Sequence, residues 1–298
     1  MGAMTTFDGA LTIGRGVLPD GGSWQTAHAL RYRGYRLNLR QGRRRLEVPT
    51  DVVTLVIGLS EPLRLTDAID NRVVLRAASP VGGLRRTATV AEHQRQLEGV
   101  SVSLHPAKAH RLFGPVLSKV EHNWADLPDL LGRPARQLAE QTAEQPDWAQ
   151  RFRLLDSFLT SRIAQGPRWP AEVSWAFAEL RRSGGTAPVR DLLLGTGWSR
   201  RRFETRFREA VGLSPKQAAQ ILRLQRALSY HQRGTGSWAE TAAISGFHDQ
   251  AHLSNTFRAT TGCSPTEFFG HRTAAEPTAE PSDRVPGLVT SAVLPQPS

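Results

Sequence analysis

The sequence is poor in cysteine, since Cys263 is the only one in 298 residues. A single thiol cannot form a disulfide within the chain, and it excludes a zinc site built from several cysteines. Cys263 lies between Gly262 and Ser264 in a predicted turn, where we interpret it as a small residue that fills space.

Long apolar stretches are also missing. No run approaches the roughly eighteen apolar residues of a membrane-spanning helix, and no signal peptide is visible. We therefore expect a soluble, cytoplasmic protein without a membrane partner.

Catalytic motifs are absent from residues 1–165, which contain no nucleophile elbow, phosphate-binding loop or cluster of metal ligands. The histidines of this half do not form the closely spaced His-x-His pair with Glu that a metal-binding barrel presents. The sequence therefore predicts no cofactor and no metal, and it disfavours an enzyme, which remains the least favoured alternative.

The formal net charge is +11, with a pI of about 11.0. A basic chain is compatible with a nucleic-acid partner, but nearly all of the positive charge is arginine, a bias that a GC-rich genome produces by itself. The placement of the arginines is therefore more informative than their number.

A short pattern occurs twice at a fixed distance. Residues 203–208 and 212–215 return fifty positions later as residues 253–258 and 262–265. A repeat at constant offset indicates one supersecondary unit used twice.

Three predicted helix starts in this region carry capping boxes, in which a serine is followed three residues later by Gln or Glu. The pairs are Ser214 with Gln217, Ser237 with Glu240, and Ser264 with Glu267. Between the two copies, apolar residues at helical spacing predict a linker helix from 215 to roughly 232, with about seventeen residues and a length of ~25 Å at ~1.5 Å per residue. Major grooves on one face of DNA recur every ~34 Å, so this helix suits two units on successive turns.

The helix predicted in each copy has an apolar and a polar face. Phe203 and Phe207 point inward in the first copy, and Leu253 and Phe257 in the second. For a single amphipathic helix, the simpler interpretation is a small helical bundle whose outer faces are only solvated. Two helix pairs in the same order, each with a turn of small residues, instead favour a helix-turn-helix used twice.

Residues 246–258 (GFHDQAHLSNTFR) and 262–265 (GCSP), with 198–203 (WSRRRF) and 212–215 (GLSP), closely resemble the C-terminal signature of the AraC/XylS family of bacterial transcription regulators. The resemblance covers about a third of the chain. It implies two helix-turn-helix units on a rigid linker helix that bind double-stranded promoter DNA.

By position, the resemblance implies base contacts from both units. The positions are Arg201, Glu204, Thr205, Gln250, Ala251, His252 and Asn255. Phosphate contacts are expected from Arg200, Arg202, Arg208 and Arg258. Two of these residues are weak candidates, since Glu204 accepts only from a cytosine amino group and Ala251 offers no hydrogen bond. Because Ala251 lies in the second unit, we expect that unit to contact fewer bases than the first.

Residues 24–104 show period-two alternation and short apolar runs separated by turn residues, the pattern of a barrel or sandwich. This half resembles the cupin-like sensory domains of the same family at the level of the fold. Helices are expected from about 126 to 164, and the helix over 147–163 carries an apolar face that either packs on the barrel or forms a homodimer contact. Arg43, Arg44 and Arg45 are interpreted as a solvated hairpin end.

The predicted fold class is α+β with two domains. Residues 1–165 form a β-barrel or cupin-like sensory domain with C-terminal helices, 166–170 a linker, and 171–270 an all-α double helix-turn-helix domain. The tail, 271–298, is too poor in large apolar residues to fold and is expected to be disordered.

The favoured function is a sequence-specific transcription regulator controlled by a small-molecule effector in the N-terminal domain. The alternative is a regulator whose N-terminal domain binds a protein or only dimerises. The sequence does not indicate the ligand-binding residues.

Overall fold

The computed structural model describes residues 12–16, 30–39, 41–115, 124–234, 236–274, 283, 285 and 287–295. The N-terminal half of this described part is a two-sheet antiparallel structure flanked by helices, and the C-terminal half is helical. The expected α+β class, with a β-rich half followed by a helical half, is confirmed.

Within the described ranges, the larger sheet has six strands in the order β1-β2-β9-β4-β7-β10, and the smaller has five in the order β11-β3-β8-β5-β6. We call the two sheets together the sandwich. The strands are β1 Thr12–Gly16, β2 Arg31–Asn38, β3 Arg43–Glu47, β4 Val53–Gly58, β5 Leu63–Asp67, β6 Val73–Ala77, β7 Pro80–Gly82, β8 Thr89–His93, β9 Gln96–Leu104, β10 Trp124–Asp126 and β11 Ser291–Leu294.

Eleven helices are found among the described residues. They are α1 Pro106–Phe113, α2 Leu127–Leu131, α3 Arg133–Glu144, α4 Trp148–Gln165, α5 Ala171–Arg182, α6 Val189–Thr196, α7 Arg200–Val211, α8 Pro215–Gln232, α9 Trp238–Ile244, α10 Gln250–Thr261 and α11 Pro265–Ala274. The predicted linker helix corresponds to α8, and the three capping boxes are present at the starts of α8, α9 and α11.

The outer face of the six-stranded sheet is covered by α1 to α4. Phe152, Leu155 and Leu159 of α4 are buried in the same core cluster as Leu55 of β4 and Val102 of β9. The apolar face predicted for this helix therefore packs on the sheet, as one of the two interpretations expected.

Close contact between α4 and β2 requires a glycine. A Cβ atom at Gly34 would lie 2.3 Å from Cε3 of Trp148, well inside van der Waals contact. Tyr32, two residues earlier on the same face, donates a hydrogen bond to Asp156 Oδ1 at 2.9 Å.

The outer face of the five-stranded sheet packs on the C-terminal helices. Leu46 and Val90 of the sheet share a core cluster with Leu224 of α8, Phe257 of α10 and Phe268 of α11. The two halves are also joined by a hydrogen bond from Ala88 N to Thr260 O at 2.7 Å.

The segment before α5 is held against both halves. Trp169 is buried, and its ring lies 5.4 Å from that of Phe177 and 5.9 Å from that of His105. An ion pair of 2.6 Å between Arg181 Nε and Asp51 Oδ2 adds a second attachment nearby. The expected linker thus enters a shared core.

The structure corrects two expectations. The tail is not disordered throughout, because Ser291–Leu294 forms β11 and pairs antiparallel with β3. A strand of four residues is too short to change the composition of the tail, and its partner strand is far away in the chain. Arg45 is buried beside Glu47, with 3.4 Å between Nε and Oε1, so residues 43–45 are a strand and not a solvated hairpin end.

Candidate nucleic-acid interface

Two helix pairs have the same local geometry. We call α6 with α7 unit 1, and α9 with α10 unit 2. Glycines with positive φ stand in the two turns, Gly197 at 66° and Gly246 at 78°, a conformation that favours a residue without Cβ. Ser199 and Asp249 then cap α7 and α10 by accepting from the backbone N–H groups of Arg202 and His252.

The second helix of unit 1 is anchored by two phenylalanines. Phe203 and Phe207 are buried with ring centroids 5.7 Å apart, and Phe207 lies 6.3 Å from Phe177 of α5. This anchoring turns the opposite face outward. Its exposed residues are Arg200, Arg201, Arg202, Thr205 and Arg208, and Glu204 is half-buried.

The second helix of unit 2 is anchored in the same way by Leu253 and Phe257, and the Phe257 ring lies 5.5 Å from that of Phe268. Its outward residues are Gln250, Ala251, His252, Asn255 and Arg258, all exposed. Every sequence-predicted site residue is thus placed on the outward face or its margin, and the two sets occupy equivalent positions in the repeat.

Four of the expected base-contacting side chains are available for a ligand. Arg201, Thr205, Gln250 and Asn255 make no side-chain hydrogen bond within the described part of the chain. A partner that hydrogen-bonds to them would therefore not have to displace a protein contact.

Two of the expected phosphate-contacting arginines have protein partners. Arg200 Nε lies 2.9 Å from Glu204 Oε1, one helical turn away, and the guanidinium of Arg202 stacks 4.5 Å from the centre of the Trp198 ring. The Arg200–Glu204 pair partly neutralises the carboxylate that would otherwise repel phosphate. Trp198 was not among the predicted site residues, although an aromatic residue just before the serine cap could have drawn attention to it.

His252 is held by its neighbours. Its Nδ1 accepts from the backbone N–H of His248 at 3.3 Å, and its ring packs edge-on at 5.4 Å against Phe247. The pKa of Asp249 is lowered mainly by the hydrogen bond that its carboxylate accepts from the backbone N–H of His252, and to a smaller extent by its hydrogen bond with the His248 side chain. This helix cap is therefore ionised at neutral pH. His248 is a second polar residue at this end of α10 that the sequence interpretation did not select.

The inner face of the five-stranded sheet contains charged and polar groups. Arg45, Glu47 and His93 are buried there, and Arg45 donates a hydrogen bond to Ser291 Oγ. A cleft of about 650 Å³ opens between the end of β2, the β4–β5 loop and the start of β9, with Leu37 and Leu97 in its wall. Nowhere in the described residues do three or more His, Cys, Asp or Glu side chains gather as metal ligands.

No helix within the described ranges combines the length and apolar character that crossing a bilayer requires.

Comparison with known proteins identifies the C-terminal region. A family model described as a helix-turn-helix domain matches residues 195–271. No curated protein gives a significant match.

Among solved structures, ToxT from Vibrio cholerae is 11% identical with a TM-score of 0.44, over 82% of this chain and 98% of that one. Wild-type ToxT with a bound unsaturated fatty acid is 13% identical with a TM-score of 0.45, over 80% and 94%. The xylose-binding transcription activator xylR is 22% identical with a TM-score of 0.28, over 45% and 38%. The family match covers α7 to α10 and both turns, so the C-terminal part of this chain is a helix-turn-helix domain of the AraC type.

Proposed function

We propose that this protein is a sequence-specific transcription regulator in which both helix-turn-helix units bind double-stranded promoter DNA. One observation carries the proposal: α7 and α10 present exposed polar faces at equivalent positions, while their apolar faces are locked by Phe203, Phe207, Leu253 and Phe257. A rigid helix with an exposed polar face is the element that enters a major groove.

The helix that joins the units supports the same proposal. With 18 residues, α8 is ~27 Å long at ~1.5 Å per residue. Successive major grooves on one face of DNA are ~34 Å apart, and each recognition helix adds its own width. The two units can therefore address neighbouring grooves without bending the linker helix.

We assign base contacts and phosphate contacts to different residues. Arg201 suits a bidentate contact to guanine, Asn255 and Gln250 suit adenine, and the Thr205 methyl suits thymine. Glu204 and His252 complete the base-contacting set. Four positively charged side chains flank these positions and contact the DNA phosphates, which provides the salt-dependent part of the affinity. They are Arg200, Arg202, Arg208 and Arg258.

Unit 2 is proposed to discriminate less between bases than unit 1. Ala251 has no hydrogen-bonding group, and the ring of His252 is engaged by His248 and Phe247. Most of the sequence preference would then come from Arg201 and Thr205.

We further propose that the N-terminal half, residues 1–165, responds to a small-molecule effector. The support is the inner face of the sandwich, where an apolar core would be expected but Arg45, Glu47, His93 and Ser101 are buried. Sensory pockets need a few convergent polar groups in an otherwise apolar lining, and this face of the sandwich provides them. Residues 171–270 would then be the DNA-binding domain.

A homodimer is compatible with this architecture, and a dimer contact made by α4 would have to use the exposed side of that helix. Its apolar face is covered by the sheet, through Phe152, Leu155 and Leu159.

Selection from a pool of random double-stranded DNA tests the proposal. The full chain should enrich a site with two conserved blocks about one helical turn apart, ~10 base pairs centre to centre. If no sequence is enriched, and the chain binds all DNAs equally with an affinity that changes only with salt concentration, sequence-specific recognition is refuted. A thermal-shift screen of metabolites addresses the effector separately.

A further inference from the structure

The C-terminal segment returns to the N-terminal half of the protein. We call residues 283–294 the strap, described at 283, 285 and 287–294. Its strand β11 pairs antiparallel with β3, with Ser291 opposite Glu47 and Leu294 opposite Arg44. The amide of Val48 donates to Thr290 O at 3.0 Å. The last part of the chain thus forms the edge of a sheet that began more than two hundred residues earlier.

Apolar residues of the strap are fully buried at the junction of the two halves. Val289 and Ala292 are 0% exposed. They share a core cluster with Leu46 of the sandwich, Leu224 of α8 and Phe268 of α11. Removing the strap would uncover apolar surface of the sandwich, α8 and α11, and Phe268 of α11 packs in turn against Phe257 of unit 2.

Asp283 joins the strap to the last helix. Arg272 of α11 donates two hydrogen bonds to its carboxylate, at 2.9 and 2.8 Å, and the Thr290 amide donates a third at 2.7 Å. The side chains of Arg272 and Asp283 are only 12% and 13% exposed. Breaking one partner of such a bidentate, nearly buried pair leaves the other charge uncompensated.

Gln225 joins the strap to the linker helix. It is buried, and its Nε2 donates to Pro49 O at 2.7 Å and to Val289 O at 3.0 Å. One side chain of α8 therefore binds the sandwich and the strap together. Ser229, one turn further along α8, donates to Gly287 O at 3.2 Å.

The docked arrangement leaves the DNA-facing surfaces open. Unit 2 meets the sandwich at the C-terminal end of α10, through Thr260 O, and unit 1 meets α1 through Val211 at the C-terminal end of α7. The opposite ends, which carry Arg201 and Gln250, are exposed. In helix-turn-helix proteins the N-terminal part of the recognition helix contacts the bases.

We propose that the strap is a brace that holds unit 2 at a fixed position on the sandwich, and so fixes the spacing at which the two units meet DNA. The inference rests on the proposed DNA-binding function. Because the contacting ends stay exposed in the braced state, the strap remains in place when DNA binds. It provides preorganisation, since two sites held rigidly at the correct spacing bind more tightly than two sites that move independently.

Two strap variants of the full protein test the brace. Asp283→Asn keeps the shape of the side chain but removes the charge, and a second variant ends at residue 282. The matched control is Glu179→Gln, which breaks an exposed bidentate pair with Arg182 on α5. Circular dichroism checks that each variant is folded, and Asp283→Asn carries the test if the shortened chain is not.

The first measurement is hydrogen exchange without DNA. Exchange of the Val48 amide should be about tenfold faster or more in both strap variants and unchanged in Glu179→Gln, since opening of the strap exposes that amide. Unchanged exchange in both strap variants would overturn the idea that the strap holds the junction.

The second measurement is affinity for the selected site and for the same site with two base pairs inserted between its halves. The affinity of the wild type should be about tenfold or more lower for the lengthened site than for the original one. The strap variants should bind the original site about tenfold more weakly than the wild type does, and the insertion should lower their affinity by less than about threefold. An unchanged spacing preference in the strap variants would overturn the brace. Absence of wild-type binding would instead refute the proposed function, while the exchange result would still decide whether the strap holds the junction.

A locked variant tests whether the strap stays in place. Arg44→Cys with Leu294→Cys, in a Cys263→Ser background, puts two thiols at directly opposed positions of an antiparallel pair, a geometry that suits a disulfide. The oxidised protein should bind the selected site within about twofold of its reduced form, since nothing has to open. Loss of binding on oxidation, restored by reduction, would show that the strap must leave and would overturn the proposal.

Discussion

Replacement of Arg201 by alanine tests the assignment of α7 as a recognition helix. The side chain of Arg201 is exposed and makes no hydrogen bond within the described part of the protein, so its removal should affect DNA binding and leave the fold intact. A bidentate contact to guanine contributes ~1–3 kcal/mol of discrimination. The dissociation constant for the selected site should therefore rise roughly 5- to 150-fold.

Arg206→Ala is the matched control on the same helix. It removes the same charge, but Arg206 lies about 140° around the helix from Arg201 and pairs with Glu209 at 3.1 Å. Fluorescence anisotropy at one salt concentration should compare both variants on the selected site, on its single-base variants and on random DNA. Arg201→Ala should lose preference at one base pair, whereas Arg206→Ala should weaken all DNAs slightly and equally.

Two results would refute this reasoning. An equal loss by Arg201→Ala on selected and random DNA would mean that Arg201 contacts only phosphate. Equal behaviour of the two variants would mean that α7 does not enter the groove with its Arg201 face.

Three further outcomes are expected. Asn255→Ala and Gln250→Ala should each weaken binding to the selected site by less than Arg201→Ala does; a larger loss from either, in the same anisotropy assay, would reverse the order of the units. Ser214→Ala should lower stability by about 1 kcal/mol in thermal or urea unfolding, because the capping box with Gln217 is lost; no change would mean that the cap adds nothing. Burial between Trp238 and Phe269 lowers the pKa of His231 below its ordinary value of about 6.5. The unfolded state therefore binds the proton more readily than the folded state, and stability should fall as the pH drops below about 6.5. His231→Phe should show a smaller fall in Tm between pH 7.5 and 5.5 than the wild type, and an equal fall would assign the effect to other groups.

The helical half was largely predictable because its signals are local. Ser214, Ser237 and Ser264 mark helix starts through partners three residues away, and Phe203 with Phe207 fixes which face of α7 turns inward. Capping and helical periodicity depend on neighbours within one or two turns, so both can be predicted from residues that are close together in the sequence. The placement of the site residues follows from the same periodicity, although their DNA contacts remain predictions.

The strap and the junction were not predictable for the opposite reason. Ser291–Leu294 is only four residues long and follows a segment rich in Pro, Ala and Thr, while its strand partner Arg43–Glu47 lies in the other half of the chain. Pairing at such a separation leaves no local pattern. Burial of Arg45 depends on the same distant contact, because Ser291 accepts its hydrogen bond.

A footprint of the full chain on its selected site tests the central claim most directly. If α7 and α10 both enter the DNA, the protein should protect two major grooves on one face, with centres ~10 base pairs apart, and log K should fall linearly with log[salt] by about 0.9 per phosphate neutralised. Protection of a single major groove would show that only one unit binds. A uniform, sequence-independent footprint would contradict the assignment of α7 and α10 as recognition helices.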